Sequence, residues 1–211
     1  MVRVKICGLT QPTDVAAACA AGADALGFVF YAPSPRAVTP EQARALLQAV
    51  APFTLSVGLF VDPSEAAVEA TLRVAPVQLL QFHGDEPEAF CQRWDRPYIK
   101  ALRMEPELDV AAAMAAYPSA AGFLLDAYEA GVPGGTGKAF SWDRVPQAAP
   151  APIILAGGLT PDNVSCAIAT ARPYGVDVSG GVERAKGIKD EGKVRAFIRA
   201  AKIDRSTHDA S

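Results

Sequence analysis

The chain alternates short β-branched runs with alanine-rich runs of helical character, and this alternation constrains its fold more than any other feature. Eight strand-then-helix units with short connections predict parallel strand pairing through right-handed crossovers. Strands are predicted near residues 2–7, 25–30, 54–61, 77–82, 98–102, 121–126, 153–156 and 176–179. Helices are predicted near residues 12–21, 40–50, 64–74, 86–94, 107–116, 161–171 and 190–202, with a shorter one around 142–145.

The number of these units favours closure of the sheet. Eight β/α units in 211 residues form a (β/α)8 TIM barrel of one domain more economically than an open sheet. An open, doubly wound α/β sheet is the alternative, because the alternation also fits it. We assign residues 1–203 to the barrel and residues 204–211 to a frayed, polar C-terminal tail.

Three of the predicted helices carry a recognisable start signal. The signals are Thr39-Pro40 with Glu41-Gln42, Asp62-Pro63-Ser64-Glu65 and Thr160-Pro161-Asp162. Each places a hydroxyl or a carboxylate, which can accept a hydrogen bond from a free N–H group of the first turn, near a proline, which has no N–H to satisfy. We therefore expect a helix to begin at each of these segments.

Composition enters the argument through the partners and cofactors that it excludes. The net charge is −3, the pI is near 5.4 and no cluster of Lys and Arg occurs, so neither nucleic acid nor an anionic membrane is an expected partner. No apolar run resembles a signal peptide or a membrane span. Four scattered cysteines without a C-x-x-C pair, and only two histidines, do not suggest a metal or redox centre. A reduced cytoplasmic protein without a metal is expected.

Two residues with acid–base chemistry end predicted strands. Cys7 closes the first strand and Asp126 closes the sixth, and each is followed by a loop that contains glycine. In a parallel barrel the carboxyl ends of the strands meet at one face, which is where barrel enzymes keep their catalytic residues. A thiol and a carboxyl group there could serve as base and acid, although a small core residue and a turn cap are the plainer interpretations.

Side-chain alternation predicts an ion pair inside the barrel. Lys5 and Cys7 share one face of the first strand, and Asp177 and Ser179 share one face of the eighth. The first and eighth strands are neighbours in a closed barrel, and a charge on the inward face is costly without a partner. We expect Lys5 to pair with Asp177, either as a purely structural pair or as one that also lowers the pKa of Cys7.

Two glycine pairs follow the last two predicted strands, at Gly157-Gly158 and at Gly180-Gly181. Glycine lets the backbone approach a ligand closely, and phosphate sites in these barrels commonly form from the loops after strands seven and eight. The first pair also precedes a predicted helix, whose free N–H groups favour an anion. These positions favour a phosphate site over two ordinary turns.

Two further loops are candidates for the pocket. The segment 131–139 resembles a nucleotide-binding loop but lacks its first glycine and its Ser or Thr, so a flexible cover over the pocket or a surface loop is expected instead. The proline-braced loop 31–36 presents Arg36, which could bind a carboxylate through two parallel hydrogen bonds or could be a solvated surface residue.

Taken together, these motifs resemble those of the phosphoribosylanthranilate isomerase family of tryptophan biosynthesis. The resemblance covers nearly the whole chain in order, and a generic barrel has no reason to carry all of its motifs. They are KICGLT (5–10), GFVFYAPSPRAVTPEQA (27–43), VGLFVD (57–62), LLQFHGDE (79–86), FLLDA (123–127), GGTGKAFSW (134–142), ILAGGLTPDNV (154–164) and VDVSGGVE (176–183).

The resemblance implies a (β/α)8 barrel that catalyses an Amadori rearrangement on a small phosphosugar, without metal or coenzyme. It implies that Cys7 is the general base, that Asp126 is the general acid and that Arg36 holds the anthranilate carboxylate. The glycine pairs at 157–158 and 180–181 would hold the phosphate. An acid must keep its proton and a base must lose it, so we expect a partly dehydrated Asp126 and a Cys7 with positive neighbours.

This chain departs from the family pattern at two places. The family often has Ser-Ser-Gly-Val-Glu after the last strand, whereas Gly180 replaces the second serine here, and a later Pro-Gly is Lys186-Gly187. A hydroxyl that could contact phosphate is therefore missing and the loop could be looser. His83, at the end of the fourth strand, is either a wall of the pocket or a residue that stabilises a turn.

Three rival functions fit the sequence less well. The related isomerase of histidine biosynthesis resembles a doubled half-barrel with two aspartates, whereas this chain has Cys7 and no obvious repeat. A metal-dependent epimerase requires more histidines than the two present. A non-catalytic phosphate-binding scaffold has no need of a paired acid and base.

A monomer is favoured over a homodimer.

Overall fold

The computed structural model describes residues 1–127 and 141–202. Eight parallel strands close into a barrel in sequence order, with the first strand paired to the eighth. They are β1 (Arg3–Cys7), β2 (Ala25–Val29), β3 (Leu55–Phe60), β4 (Leu79–Phe82), β5 (Tyr98–Met104), β6 (Gly122–Ala127), β7 (Ile153–Leu155) and β8 (Gly175–Val178). The predicted barrel is confirmed and the open sheet is excluded.

Helices cover the outside of the barrel. They are α1 (Pro12–Ala20), α2 (Pro40–Leu47), α3 (Glu65–Val74), α4 (Glu88–Cys91), α5 (Val110–Ala115), α6 (Val164–Ala171) and α7 (Glu191–Lys202), with a 3-10 turn at Trp142–Arg144. Among the described residues no helix is both long and apolar enough to cross a membrane. The predicted tail 204–211 lies outside the described residues, as does the predicted cover loop 131–139.

Alternation along the strands divides the apolar residues into two layers. A small cluster fills the barrel interior, and a larger one packs between the strands and the helices, because successive side chains point to opposite faces of a strand. The interior cluster consists of Val57, Leu79, Ile99, Ala101, Leu124 and Ala156. Its side chains fill the barrel below the carboxyl ends of the strands.

Two of the three predicted helix starts are confirmed, and the third is wrong. Thr39 and Ser64 accept hydrogen bonds from the backbone N–H groups of Gln42 and Ala67. The helix predicted from residue 161 begins at Val164 instead. Asn163 accounts for the delay, because its side chain bonds both the N–H of Thr160 and the carbonyl of Gly158 and so stabilises a turn there.

A short hairpin after β8 was not predicted. A 3-10 turn at Gly180–Val182 leads into β9 (Glu183–Ala185), which pairs antiparallel with β10 (Ile188–Lys189). The connection includes Gly187, whose φ of 78° lies in the left-handed region that favours glycine. This hairpin places Glu183 and Lys189 beside the carboxyl end of the barrel, where they matter for the site described next.

Candidate active site

One cavity of about 480 Å³ opens at the carboxyl ends of the strands. Cys7 at the end of β1 and Asp126 in β6 both line it. The remaining predicted site residues line the same cavity, namely Arg36, His83, Gly157, Gly158, Asp177, Ser179, Gly180 and Gly181. The fold therefore brings together residues that are as far apart in the chain as Cys7 and Gly181.

Cys7 lies beside the predicted ion pair. Lys5 Nζ lies 2.9 Å from Asp177 Oδ1, and both side chains are at most one-tenth exposed. Burial alone would lower the pKa of Lys5, but the charge of Asp177 raises it well above its usual value. Lys5 is therefore a permanent cation next to the thiol. A Cβ atom on Gly27 would lie 2.7 Å from the Cys7 sulfur and 3.1 Å from Lys5 Nζ, so glycine makes room for both groups.

The prediction that Lys5 lowers the pKa of Cys7 is confirmed for the contribution of Lys5, but the net pKa of the thiol is raised. Burial raises the pKa of the thiol, and the positive charge of Lys5 lowers it only in part, as does the more distant Lys189. The negative charge of Asp177 acts in the same direction as burial. The sequence indicated the charged neighbour correctly, but it could not show how completely the thiol is removed from water.

Asp126 is held by two hydrogen-bonding partners and is only 5% exposed. Its Oδ1 accepts a bond of 2.9 Å from the N–H of Ala127, and its Oδ2 lies 3.1 Å from His83 Nε2. The other ring nitrogen of His83 lies 3.0 Å from Gln81 Nε2, and Gln81 is fully buried. His83 is thus part of the pocket wall and also fixes the orientation of the Asp126 carboxyl group.

The two glycine pairs form one continuous part of the cavity wall. Gly157 and Gly158 have φ values of 82° and 63°, which L-residues with side chains rarely adopt. A Cβ atom on Gly181 would lie only 1.9 Å from the carbonyl oxygen of Leu159, so the two loops touch. Ser179 joins them to the first strand, because its hydroxyl donates to the carbonyl of Cys7 at 3.0 Å.

Arg36 reaches the cavity but is not free in it. Its Nε and Nη2 donate to Oε1 and Oε2 of Glu183 at 2.7 and 2.9 Å. Lys189 Nζ also lies 2.9 Å from the same carboxylate. Sequence reasoning missed Glu183 and Lys189 as site residues, and it also missed Gln81. Gln81 could have been found, since it precedes His83 by two residues and so shares its face of the strand.

The chain is similar to known proteins along almost its whole length. The family model for N-(5'phosphoribosyl)anthranilate (PRA) isomerase matches residues 4–200. The chain belongs to this family. An isomerase from Cellvibrio japonicus is 60% identical over 200 residues, which are 95% of this chain and 93% of the relative. One from Pseudomonas fluorescens is 60% identical over 201 residues, covering 95% and 98% of the two chains.

Solved structures of PRA isomerases share the fold. The crystal structure from Thermotoga maritima matches with a TM-score of 0.88 and 38% identity, over 96% of this chain and 99% of that one. Another crystal structure of the isomerase, in complex with reduced 1-(o-carboxyphenylamino)-1-deoxyribulose 5-phosphate, matches with a TM-score of 0.84, 36% identity and the same coverage. The likeness to PRA isomerases therefore extends over the entire barrel, including every strand that bears a candidate site residue.

Proposed function

We propose that the protein catalyses the Amadori rearrangement of N-(5-phosphoribosyl)anthranilate to 1-(2-carboxyphenylamino)-1-deoxyribulose 5-phosphate in tryptophan biosynthesis. The observation that carries the proposal is the shared cavity of Cys7 and Asp126 in a chain of the PRA isomerase family. A small phosphosugar is the expected ligand, since the structural relative holds the reduced product. The reaction as proposed requires neither a metal nor a coenzyme.

Asp126 acts as the general acid in this proposal. In its protonated form it donates a proton to the ring oxygen of the furanose, the bond from C1 to that oxygen breaks, and the anthranilate nitrogen forms an iminium with C1. Its place in the cavity wall and its contact with His83 support this role, because they hold the carboxyl group at the carboxyl end of the barrel, facing the cavity. The proton that leaves Asp126 makes it a carboxylate.

Cys7 acts as the general base in the next step. Its thiolate removes the proton at C2 of the sugar, which the iminium has acidified, and the resulting enolamine tautomerises to the ketone. Because burial keeps the pKa of Cys7 above its ordinary value, only a small fraction is thiolate at neutral pH. That fraction is a stronger base than an ordinary thiolate, and it grows as the pH rises, so we expect kcat/KM to increase into the alkaline range.

The remaining residues bind the substrate. Gly157, Gly158, Gly180 and Gly181 line the part of the cavity suited to phosphate, since glycine allows backbone N–H groups to approach it. Arg36 holds the anthranilate carboxylate. Asp177, Ser179 and His83 complete the wall around the sugar.

The cellular setting and the oligomeric state belong to the same proposal. We place the enzyme in the cytoplasm, with no nucleic-acid or membrane partner, and favour a monomer. The isomerase from Thermotoga maritima is dimeric, and monomers generated from it have been solved. In this chain Phe53 is fully exposed, which is an apolar surface that a dimer would bury. Sedimentation velocity over a range of concentrations distinguishes the two states, since a monomer has a mass of 22.1 kDa and stays at that mass on concentration.

Complementation tests the proposed reaction. The gene is expressed in a bacterial strain that lacks PRA isomerase, and the purified protein is assayed for turnover of freshly prepared N-(5-phosphoribosyl)anthranilate. The proposal predicts growth without tryptophan and turnover in the assay. A protein that binds inorganic phosphate in the cavity but neither restores growth nor turns the substrate over is a scaffold, and that result contradicts the proposal.

A further inference from the structure

The guanidinium of Arg36 is already engaged before any substrate enters. Its Nε and Nη2 atoms form the two-pronged pair with Glu183 at 2.7 and 2.9 Å. The Arg36 side chain is 15% exposed and that of Glu183 is 7% exposed, so little water competes for these bonds. This pair is far better shielded than the surface ion pairs that contribute little to proteins.

The pair with Glu183 uses one edge of the Arg36 guanidinium, and a second edge remains for a ligand. A guanidinium is planar and presents five N–H donors in a rigid fork. Glu183 occupies the edge formed by Nε and Nη2. The edge formed by Nη1 and Nη2 can donate two hydrogen bonds to a second carboxylate in the same bidentate geometry. Gly180 lies next to Nη2, and a Cβ atom there would lie 3.2 Å from that nitrogen, so any side chain at position 180 would crowd the guanidinium.

Glu183 is itself fixed from the opposite side. Lys189 Nζ donates to its Oε1 at 2.9 Å with a side chain that is 1% exposed, and the N–H of Gly187 lies 3.3 Å from the same oxygen. Burial alone would raise the pKa of Glu183, but the hydrogen bonds from Arg36 and the charge of Lys189 lower it below its usual range. Glu183 is therefore a carboxylate at neutral pH.

The charges of this group favour an anionic ligand. Two cations, Arg36 and Lys189, surround one anion, Glu183, so the group keeps a net positive charge beside the cavity. Lys189 also donates to the carbonyl of Ser179 at 3.1 Å, which attaches the group to the loop after β8. Without Lys189, the Glu183 carboxylate would cancel the charge that Arg36 offers to a ligand.

We propose that Glu183, held by Lys189, is a positioning residue that locks Arg36 so that its Nη1–Nη2 edge faces the carboxylate of the substrate. This inference rests on the proposed function, because it concerns how the anthranilate end of that substrate is recognised. A long, flexible arginine loses rotamer freedom when it binds a ligand, and a side chain that is already fixed avoids this cost. Glu183 contacts Arg36 and is not among the residues that line the cavity.

The Glu183→Gln variant tests the proposal. Glutamine keeps the size of the side chain, but its NH2 group would face one of the two arginine donors. One of the two hydrogen bonds from Arg36 is therefore lost. We expect KM for N-(5-phosphoribosyl)anthranilate to rise about tenfold with kcat changed far less, which is the size expected for losing one charge-assisted hydrogen bond. Glu191→Gln is the matched control, since it removes an exposed pair with Arg195 on α7 and should leave KM unchanged.

Two further measurements separate positioning from a structural effect on the loops. In an Arg36→Ala background, Glu183→Gln should change KM by less than about twofold, because its action passes through Arg36. Competitive inhibition by inorganic phosphate should be the same for the parent and for Glu183→Gln. The proposal is overturned if the variant raises KM equally in both backgrounds, or if phosphate inhibition weakens in proportion to the rise in KM.

An Arg36→Lys variant provides evidence that does not depend on the folding of the Glu183 variant. Lysine keeps the charge but cannot bind two carboxylates along two edges. We expect it to raise KM nearly as much as Arg36→Ala, and a KM equal to that of the parent contradicts the proposal. Assay of the parent enzyme separates this test from the test of the proposed function. A parent without turnover refutes the isomerase activity. An active parent whose KM is unchanged by Glu183→Gln refutes only the positioning role.

Discussion

The buried pair of Lys5 and Asp177 gives a prediction whose size follows from its surroundings. The two side chains are 6% and 10% exposed, and Nζ lies 2.9 Å from Oδ1. Replacing Lys5 by methionine leaves the largely buried Asp177 carboxylate without its cation. Removing one partner of such a pair costs about 3–5 kcal/mol of stability, compared with about 0–1 kcal/mol for an exposed pair. We therefore expect Lys5→Met to lower the free energy of unfolding by about 3–5 kcal/mol.

The pH dependence of this contribution has a definite sign. The pKa of Lys5 is raised in the folded protein, so the stabilisation is complete at neutral pH and is lost only as the pH rises through that raised value. The same substitution removes the charge that opposes burial at Cys7. The pKa of Cys7 should rise further, kcat/KM at neutral pH should fall, and the alkaline rise in activity should move to higher pH.

Two assays measure these effects. Urea unfolding gives the loss of stability, with Arg3→Met as the control, because Arg3 pairs with Asp24 and its side chain is 63% exposed. The rate of Cys7 alkylation by iodoacetamide against pH, followed on the peptide by mass spectrometry, reports the ionisation of the thiol. A Lys5→Met protein that loses no more stability than Arg3→Met, or whose Cys7 alkylation profile is unchanged, refutes the reasoning.

Three other substitutions have definite outcomes. Arg36→Ala should raise KM with a smaller effect on kcat, because the carboxylate is held throughout the reaction, and an unchanged KM rejects the assigned role. His83→Leu should lower kcat about tenfold or more with little change in KM, since it removes the partner of Asp126 Oδ2; steady-state kinetics decide this. Gly181→Ala should cost about 1–3 kcal/mol in urea unfolding, because its Cβ would collide with the carbonyl of Leu159, and wild-type stability would contradict that contact.

The barrel and the ion pair in its interior could be predicted from the sequence pattern along each strand and from the order of the strands. The period of strand and helix units predicted eight strands, and alternation together with closure predicted that Lys5 meets Asp177. These features depend on the spacing of residues along each strand and on the order of the strands. They do not require knowledge of how tightly any side chain is packed.

The features that were missed depend on packing and on irregular backbone. Glu183 and Lys189 follow the last barrel strand in a hairpin of five strand residues, too short to leave a periodic pattern in the sequence. The net rise of the Cys7 pKa was missed because the charge of Lys5 can be read from the sequence, whereas the depth of burial cannot. The late start of α6 arises from a side-chain bond of Asn163 that competes with the helix.

The kcat values of Cys7→Ala and Asp126→Asn test most directly whether these two side chains move the protons. Both residues line one cavity, and a positioned acid or base typically contributes about 10²–10⁴-fold to a rate. Measured on variants whose circular dichroism and urea midpoints show that they are folded, kcat should fall by that factor in each. A folded variant of either residue that keeps kcat within about tenfold of the parent contradicts the mechanism.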